Sequence, residues 1–102
     1  MKNSLCFTTG SGKIRYVEFA HIWNILPIRN SIAGIYGRQY YCIYVTEVVY
    51  TDTGEHEDET RFRLFDPGDR VTYHGKTYDF DNLDRLCMVV ENENNIRVLD
   101  SL

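Results

Sequence analysis

The sequence predicts a mostly β protein. Antiparallel hairpins would form a small barrel or a strongly twisted sheet, with one irregular or short-helical segment near residues 20–38. Three observations carry this reading. In Asp69-Arg70-Val71-Thr72-Tyr73-His74-Gly75-Lys76-Thr77-Tyr78-Asp79-Phe80, apolar and polar residues alternate on both sides of His74-Gly75. In 39–50, Tyr, Val and Ile dominate, and Arg61-Phe62-Arg63-Leu64-Phe65 answers them after an acidic connector. Eight tyrosines in 102 residues are the third observation, because Tyr favours pleated, half-buried surfaces.

Taken in order, Leu5-Cys6-Phe7-Thr8 and Ile14-Arg15-Tyr16-Val17-Glu18-Phe19 flank the turn cluster Thr9-Gly10-Ser11-Gly12 and read as a hairpin. Residues 20–38 mix turn residues with Trp23, Ile25, Leu26, Ile28, Ile32 and Ile35. Pro27 confines what precedes it to extended or turn geometry. These apolar groups either fold back over the sheet or form a contact surface, including one between copies of the chain. The central hairpin turns at Thr51-Asp52-Thr53-Gly54-Glu55, a type I turn with Gly54 in the left-handed position. That register sets Tyr44 opposite Phe62 and Cys42 opposite Leu64.

The next hairpin turns at His74-Gly75. It sets Val71 opposite Tyr78 and Arg70 opposite Asp79, with Val71, Tyr73, Tyr78 and Phe80 on the apolar face. Asp81-Asn82-Leu83-Asp84 reads as a turn or a single helical turn. Leu86-Cys87-Met88-Val89-Val90 and Ile96-Arg97-Val98-Leu99 read as a last hairpin joined by 91–95. The length fits a single domain, 1–102, able to bury a real core.

Function classes narrow by composition. The formal net charge is −4, which disfavours non-specific nucleic-acid binding, a property that needs net positive surface. Cys6, Cys42 and Cys87 sit inside apolar runs and read as buried thiols of a reducing compartment. With no signal-peptide pattern and no apolar run of membrane-spanning length, an intracellular, cytoplasmic protein is the expectation. Gly10-Ser11-Gly12-Lys13 has Phe7 and Ile14 where a phosphate loop needs Gly and Ser or Thr, so it reads as a hairpin tip. The cysteines with His21, His56 and His74 lack metal-site spacing, and no nucleophile–base context stands out. No catalytic residue, metal or cofactor is expected.

The segment Pro67-Gly68-Asp69-Arg70-Val71-Thr72-Tyr73-His74-Gly75-Lys76-Thr77-Tyr78 resembles the entry hairpin of SH3-like small barrels, KOW-type modules among them. The resemblance covers the last third of the chain and implies a barrel-like domain that binds macromolecules without catalysis. In size, charge and composition the chain is also similar to small phage-encoded inhibitors of host defence nucleases.

The sharpest functional lead is the acidic connector. Asp52, Glu55, Glu57, Asp58 and Glu59 crowd the end of a long ribbon and can imitate a row of phosphates before a basic groove. The leading expectation is a protein-binding module of phage or mobile-element type. It would inhibit a host nucleic-acid-binding protein, a CRISPR effector for example, with Tyr40, Tyr41 or Tyr44 as anchors. The alternative is an SH3-like adaptor or an RNA or single-stranded DNA binder that uses Arg38, Arg61, Arg63 and tyrosines of a sheet face.

Overall fold

The computed structural model describes residues 3–29 and 39–100. The chain forms β1 (Asn3–Thr8), β2 (Ile14–Arg29), β3 (Gln39–Thr51), β4 (Gly54–Phe65), β5 (Arg70–Tyr73), β6 (Lys76–Asp79) and α1 (Leu83–Asp100). The strands make one antiparallel sheet in the order β4-β3-β2-β1-β5-β6. The sheet is strongly twisted and does not close into a barrel.

The β5–β6 hairpin has the expected register, Arg70↔Asp79 and Val71↔Tyr78. Its two-residue turn needs positive φ at both central positions. His74 sits at φ 50° and Gly75 at φ 80°. The side chain of Asn3 steadies the strained His74 by accepting its backbone N–H at 2.9 Å. In the β3–β4 hairpin, Cys42↔Leu64 and Tyr44↔Phe62 are also as expected. Past Thr46↔Thr60 a β-bulge shifts the register by one residue, so that Val48 pairs with Glu57 and Tyr50 with Glu55.

Four residues, 66–69, join β4 to β5, although the two strands lie four positions apart in the sheet. At about 4.8 Å per position a flat sheet would hold them about 19 Å apart. A fully extended link of this length reaches about 17 Å at most, and this link is folded into a turn, with the Asp69 N–H donating to the Asp66 carbonyl at 3.0 Å. The sheet must therefore curl. Contacts across the curl show that it does: the Arg63 guanidinium of β4 lies 5.8 Å from the Phe7 ring centre of β1, and Tyr41 of β3 meets Phe80 edge-on at 5.4 Å.

Asp69 closes the curl. Its buried carboxylate accepts the backbone N–H of Thr8 at 2.9 Å and that of Asp66 at 2.9 Å. The core fills the concave side. It comprises Leu5, Phe19, Ile22, Ile43, Val45, Phe65, Val71, Tyr73 and Tyr78, with Leu83, Leu86 and Val90 from α1. Each fully buried aliphatic or aromatic side chain contributes roughly 1.5–3 kcal/mol.

Two expectations are corrected. Residues 86–99 are not a hairpin but part of α1. Leu83, Leu86, Cys87 and Val90 recur at helical spacing, and three of the four are buried against the sheet. The Asp79 side chain prepares the helix entry by accepting the N–H groups of Asp81 and Asn82. Residues 20–29 are not irregular either, because β2 continues through them paired to β3, with β-bulges between Phe19 and His21 and between Ile22 and Asn24. The rest of that expected irregular segment, 30–38, lies outside the described residues.

Two measurements check this packing. Asp69→Ala strands two backbone N–H groups and should lower the unfolding free energy by about 3 kcal/mol, with Asp69→Asn retaining part of it, as read by urea denaturation. Leu86→Ala should cost about 2–5 kcal/mol in the same assay. A shift below 1 kcal/mol would mean that α1 is not seated on the core.

Candidate functional site

The helix covers the concave side of the sheet, and the convex side carries no second layer among the described residues. Strand alternation decides which side chains reach it. Because Leu26↔Cys42↔Leu64 and Asn24↔Tyr44↔Phe62 are cross-strand sets, these residues share the convex face. Ile25, Ile43 and Val45 point the other way, into the core. Cys42 is buried at the centre of the convex set, while Phe62 (63% exposed), Leu64 and Leu26 stand in the open. Tyr44 and Phe62 pack at a tilt, with ring centres 6.3 Å apart. A side-chain hydrogen bond with Cys42, followed by the charge that thiol would carry when ionised, pushes the Tyr44 phenol upward.

The same face continues toward the hairpin tip through Tyr16 and Tyr50, both exposed. The Tyr50 hydroxyl donates to the Glu18 carboxylate of β2. That bond ties the free end of the β3–β4 ribbon to the body, since the last β2–β3 pair is Phe19↔Glu47. At the tip, Asp52 is exposed and Gly54 takes φ 115° to complete the turn. Thr53 Oγ1 and His56 Nε2 lie 2.7 Å apart and brace the turn from within.

The expected site residues divide as follows. Asp52 is in the tip turn, and Glu55, Glu57, Asp58 and Glu59 are on β4, with Asp58 and Glu59 at the bulge opposite Glu47. The side chains of these four β4 residues lie outside the described ones. Tyr40 and Tyr44 are on the convex face. Tyr41 is not with them: it pairs with Phe65 and packs on Phe80 at the core. Of the arginines invoked for nucleic acid, Arg38 lies outside the described residues. Arg61 and Arg63 pair with Val45 and Ile43, so they occupy the concave side, away from the convex rings. Arg63 is also engaged, with its guanidinium on the Glu47 carboxylate at 2.6 Å.

Sequence reasoning offered Leu26 as part of a contact surface but missed Phe62 and Leu64 beside it. Alternation was the available signal, but it could not say which face α1 would cover. It also missed a cluster at the helix–hairpin junction. Glu93 of α1 accepts from the Tyr73 hydroxyl and stands 3.3 Å from His74 Nε2. These groups latch the helix to the β5–β6 turn.

The Gly10-Ser11-Gly12-Lys13 segment is the β1–β2 turn, closed by the Thr9 N–H on the Lys13 carbonyl at 2.8 Å. Among the described residues no three His, Cys, Asp or Glu side chains converge as a metal site, and all three cysteines are free thiols. No described helix is long and apolar enough to cross a membrane. Comparison with known proteins returns no matching family model, no matching curated protein and no matching solved structure.

Proposed function

We propose that this protein is a non-enzymatic protein-binding module that engages a basic surface, such as that of a nucleic-acid-binding protein, through the β3–β4 hairpin and the convex face behind it. A host nuclease effector of the CRISPR type belongs to that partner class, and an inhibitor of phage or mobile-element origin is the corresponding setting. The observation that carries the reading is the ribbon beyond Phe19↔Glu47. There β3 and β4 pair with each other through Thr51↔Gly54, and the sequence of 52–59 holds five acidic residues.

The two parts of this surface do different work. Carboxylates on a projecting ribbon accelerate encounter with a basic partner. Exposed Phe62 and Leu64, with half-buried Tyr44 beside them, supply the desolvated contact that holds it, since aromatic anchors dominate binding energy in most interfaces. The alternative, single-stranded nucleic acid on the sheet face, needs cations beside the stacking rings. The convex face offers Arg70 at its far side, across from Asp79, while Arg61 and Arg63 occupy the other face.

The test combines competition with charge reversal. Proteins captured by the intact chain and displaced by added nucleic acid define the partner. The triple variant Asp52→Lys, Glu55→Lys, Glu57→Lys should then bind that partner at least about tenfold more weakly at moderate salt, with the gap narrowing as salt rises. Phe62→Ala should speed dissociation and leave the salt dependence unchanged. Undiminished capture by the triple variant at physiological salt removes the hairpin from the interface.

A further inference from the structure

Beyond its last pair with β1, Asn3↔Phe19, the strand β2 runs on to Arg29. Among the described residues its strand partner there is β3 alone. On the opposite edge lies α1, and between edge and helix is a slot of about 360 Å³ lined by Trp23, Asn24, Ile25, Cys87, Glu91 and Asn94 among others. That volume is in the range of ligand sites.

The edge of β2 is occupied in an unusual way. The N–H and C=O of one strand residue leave on the same side, and residues two apart share that side. By this rule Ile25 and Pro27 share the slot side; Trp23 is the residue inserted by the second bulge, and its carbonyl is placed on that side by its hydrogen bond to α1. The Trp23 carbonyl accepts from Asn94 Nδ2 at 2.7 Å, and the Ile25 N–H donates to Asn24 Oδ1 at 2.8 Å. A carboxamide has the donor and acceptor of a peptide group. The two asparagine side chains thus fill one donor and one acceptor position that the backbone of a neighbouring strand would fill. Pro27 faces the same way and has no N–H to offer, so pairing along this edge stops there.

The slot is also negative. Among the described residues its lining holds Glu91 and neither lysine nor arginine. The Cys87 thiol is pushed up, first by burial and then by the charges of Asp84 and Glu91.

We propose that this slot binds a short extended peptide segment carrying a basic side chain. Its backbone takes the places of the Asn94 and Asn24 amides on the edge of β2, and its cation lies toward Glu91. This is strand addition at a sheet edge beside a helix, a mode in which main-chain hydrogen bonds supply affinity and flanking groups supply selectivity. The inference deepens the reading of the protein as a binding module, but it uses a surface separate from the acidic hairpin.

The experiment is selection of short linear peptides from a random display library on the intact chain, followed by NMR mapping. Enriched peptides should carry Lys or Arg, shift the amide resonances of residues 23–26 and 87–95, and slow hydrogen exchange at the Ile25 amide. N-methylation of the peptide residue that donates to Trp23 should weaken binding about tenfold, and Glu91→Gln about threefold. The hairpin triple variant should bind the selected peptides as the parent does, which separates failure of this site from failure of the hairpin. Absence of enriched peptides, shifts confined to other surfaces, or an N-methylated peptide of equal affinity overturns the proposal.

Discussion

The short link between β4 and β5 is the constraint on which the rest of the molecule depends. It carries the chain from one edge strand to a strand on the far side of β1 in four residues. A flat six-stranded sheet cannot meet that condition, so the sheet has to curl until the end of β4 approaches the end of β1. Asp69 holds the two together through one N–H from each side of the closure, Asp66 and Thr8. Phe65, the last residue of β4, is consequently buried although its strand is at a sheet edge. The core is what the curl encloses, and α1 covers the part of it that the curl leaves open.

This geometry decides which surfaces are available for recognition. Among the described residues a single helix is seated on the concave side and the convex side is a bare sheet, whose apolar residues are not part of the core. Phe62 and Leu64 alternate with Arg61 and Arg63, so the bare face is aromatic and weakly charged while the guanidinium groups lie on the other side. The buried Glu47 is the reason Arg63 is held there. Removing the arginine would leave a carboxylate with little access to water, which is costlier than losing an exposed pair.

Much of the β architecture was legible in the sequence because turn chemistry fixes register over short distances. His74-Gly75 admits one two-residue turn, and every pair of β5–β6 follows from it. The same logic worked in β3–β4 from Cys42 to Thr46. It failed beyond, because the bulge at 58–59 carries no mark that distinguishes it from an ordinary strand step. The helix was misread for a different reason. Met88, Val89, Val90, Ile96 and Val98 suggest a hairpin residue by residue, and the helical spacing of Leu83, Leu86, Cys87 and Val90 is the signal which that reading leaves out. Tertiary packing decides such cases, since the sheet needs a cover and 83–90 offers an apolar stripe of the right period. Residues 20–29 read as irregular because turn and apolar residues mix through 20–38 and because extended and turn geometry are both open to the residues before Pro27. In this fold Pro27 stands on the strand edge that no other described strand pairs with, where a missing N–H breaks no ladder bond. Of the expected site, the acidic tip stood out as composition alone. The separation of Tyr41 from Tyr40 and Tyr44 required knowing which face was inside.

The unequal lengths of β1 and β2 link these observations. β1 has 6 residues and β2 has 16, so β1 can cover little more than the first part of its neighbour. The remainder of β2 would be a bare edge, a liability in a protein rich in Tyr, Val and Ile. Bulges, Pro27 and two asparagine amides blunt that edge, and α1 runs beside it. Side-chain amides satisfy strand groups without the cooperativity of a ladder, so they can be exchanged for a peptide backbone at small net cost. The same features that keep the edge from pairing indiscriminately therefore set the conditions for pairing selectively: a segment must be short enough to end before Pro27 and positive enough to favour the field of Asp84 and Glu91.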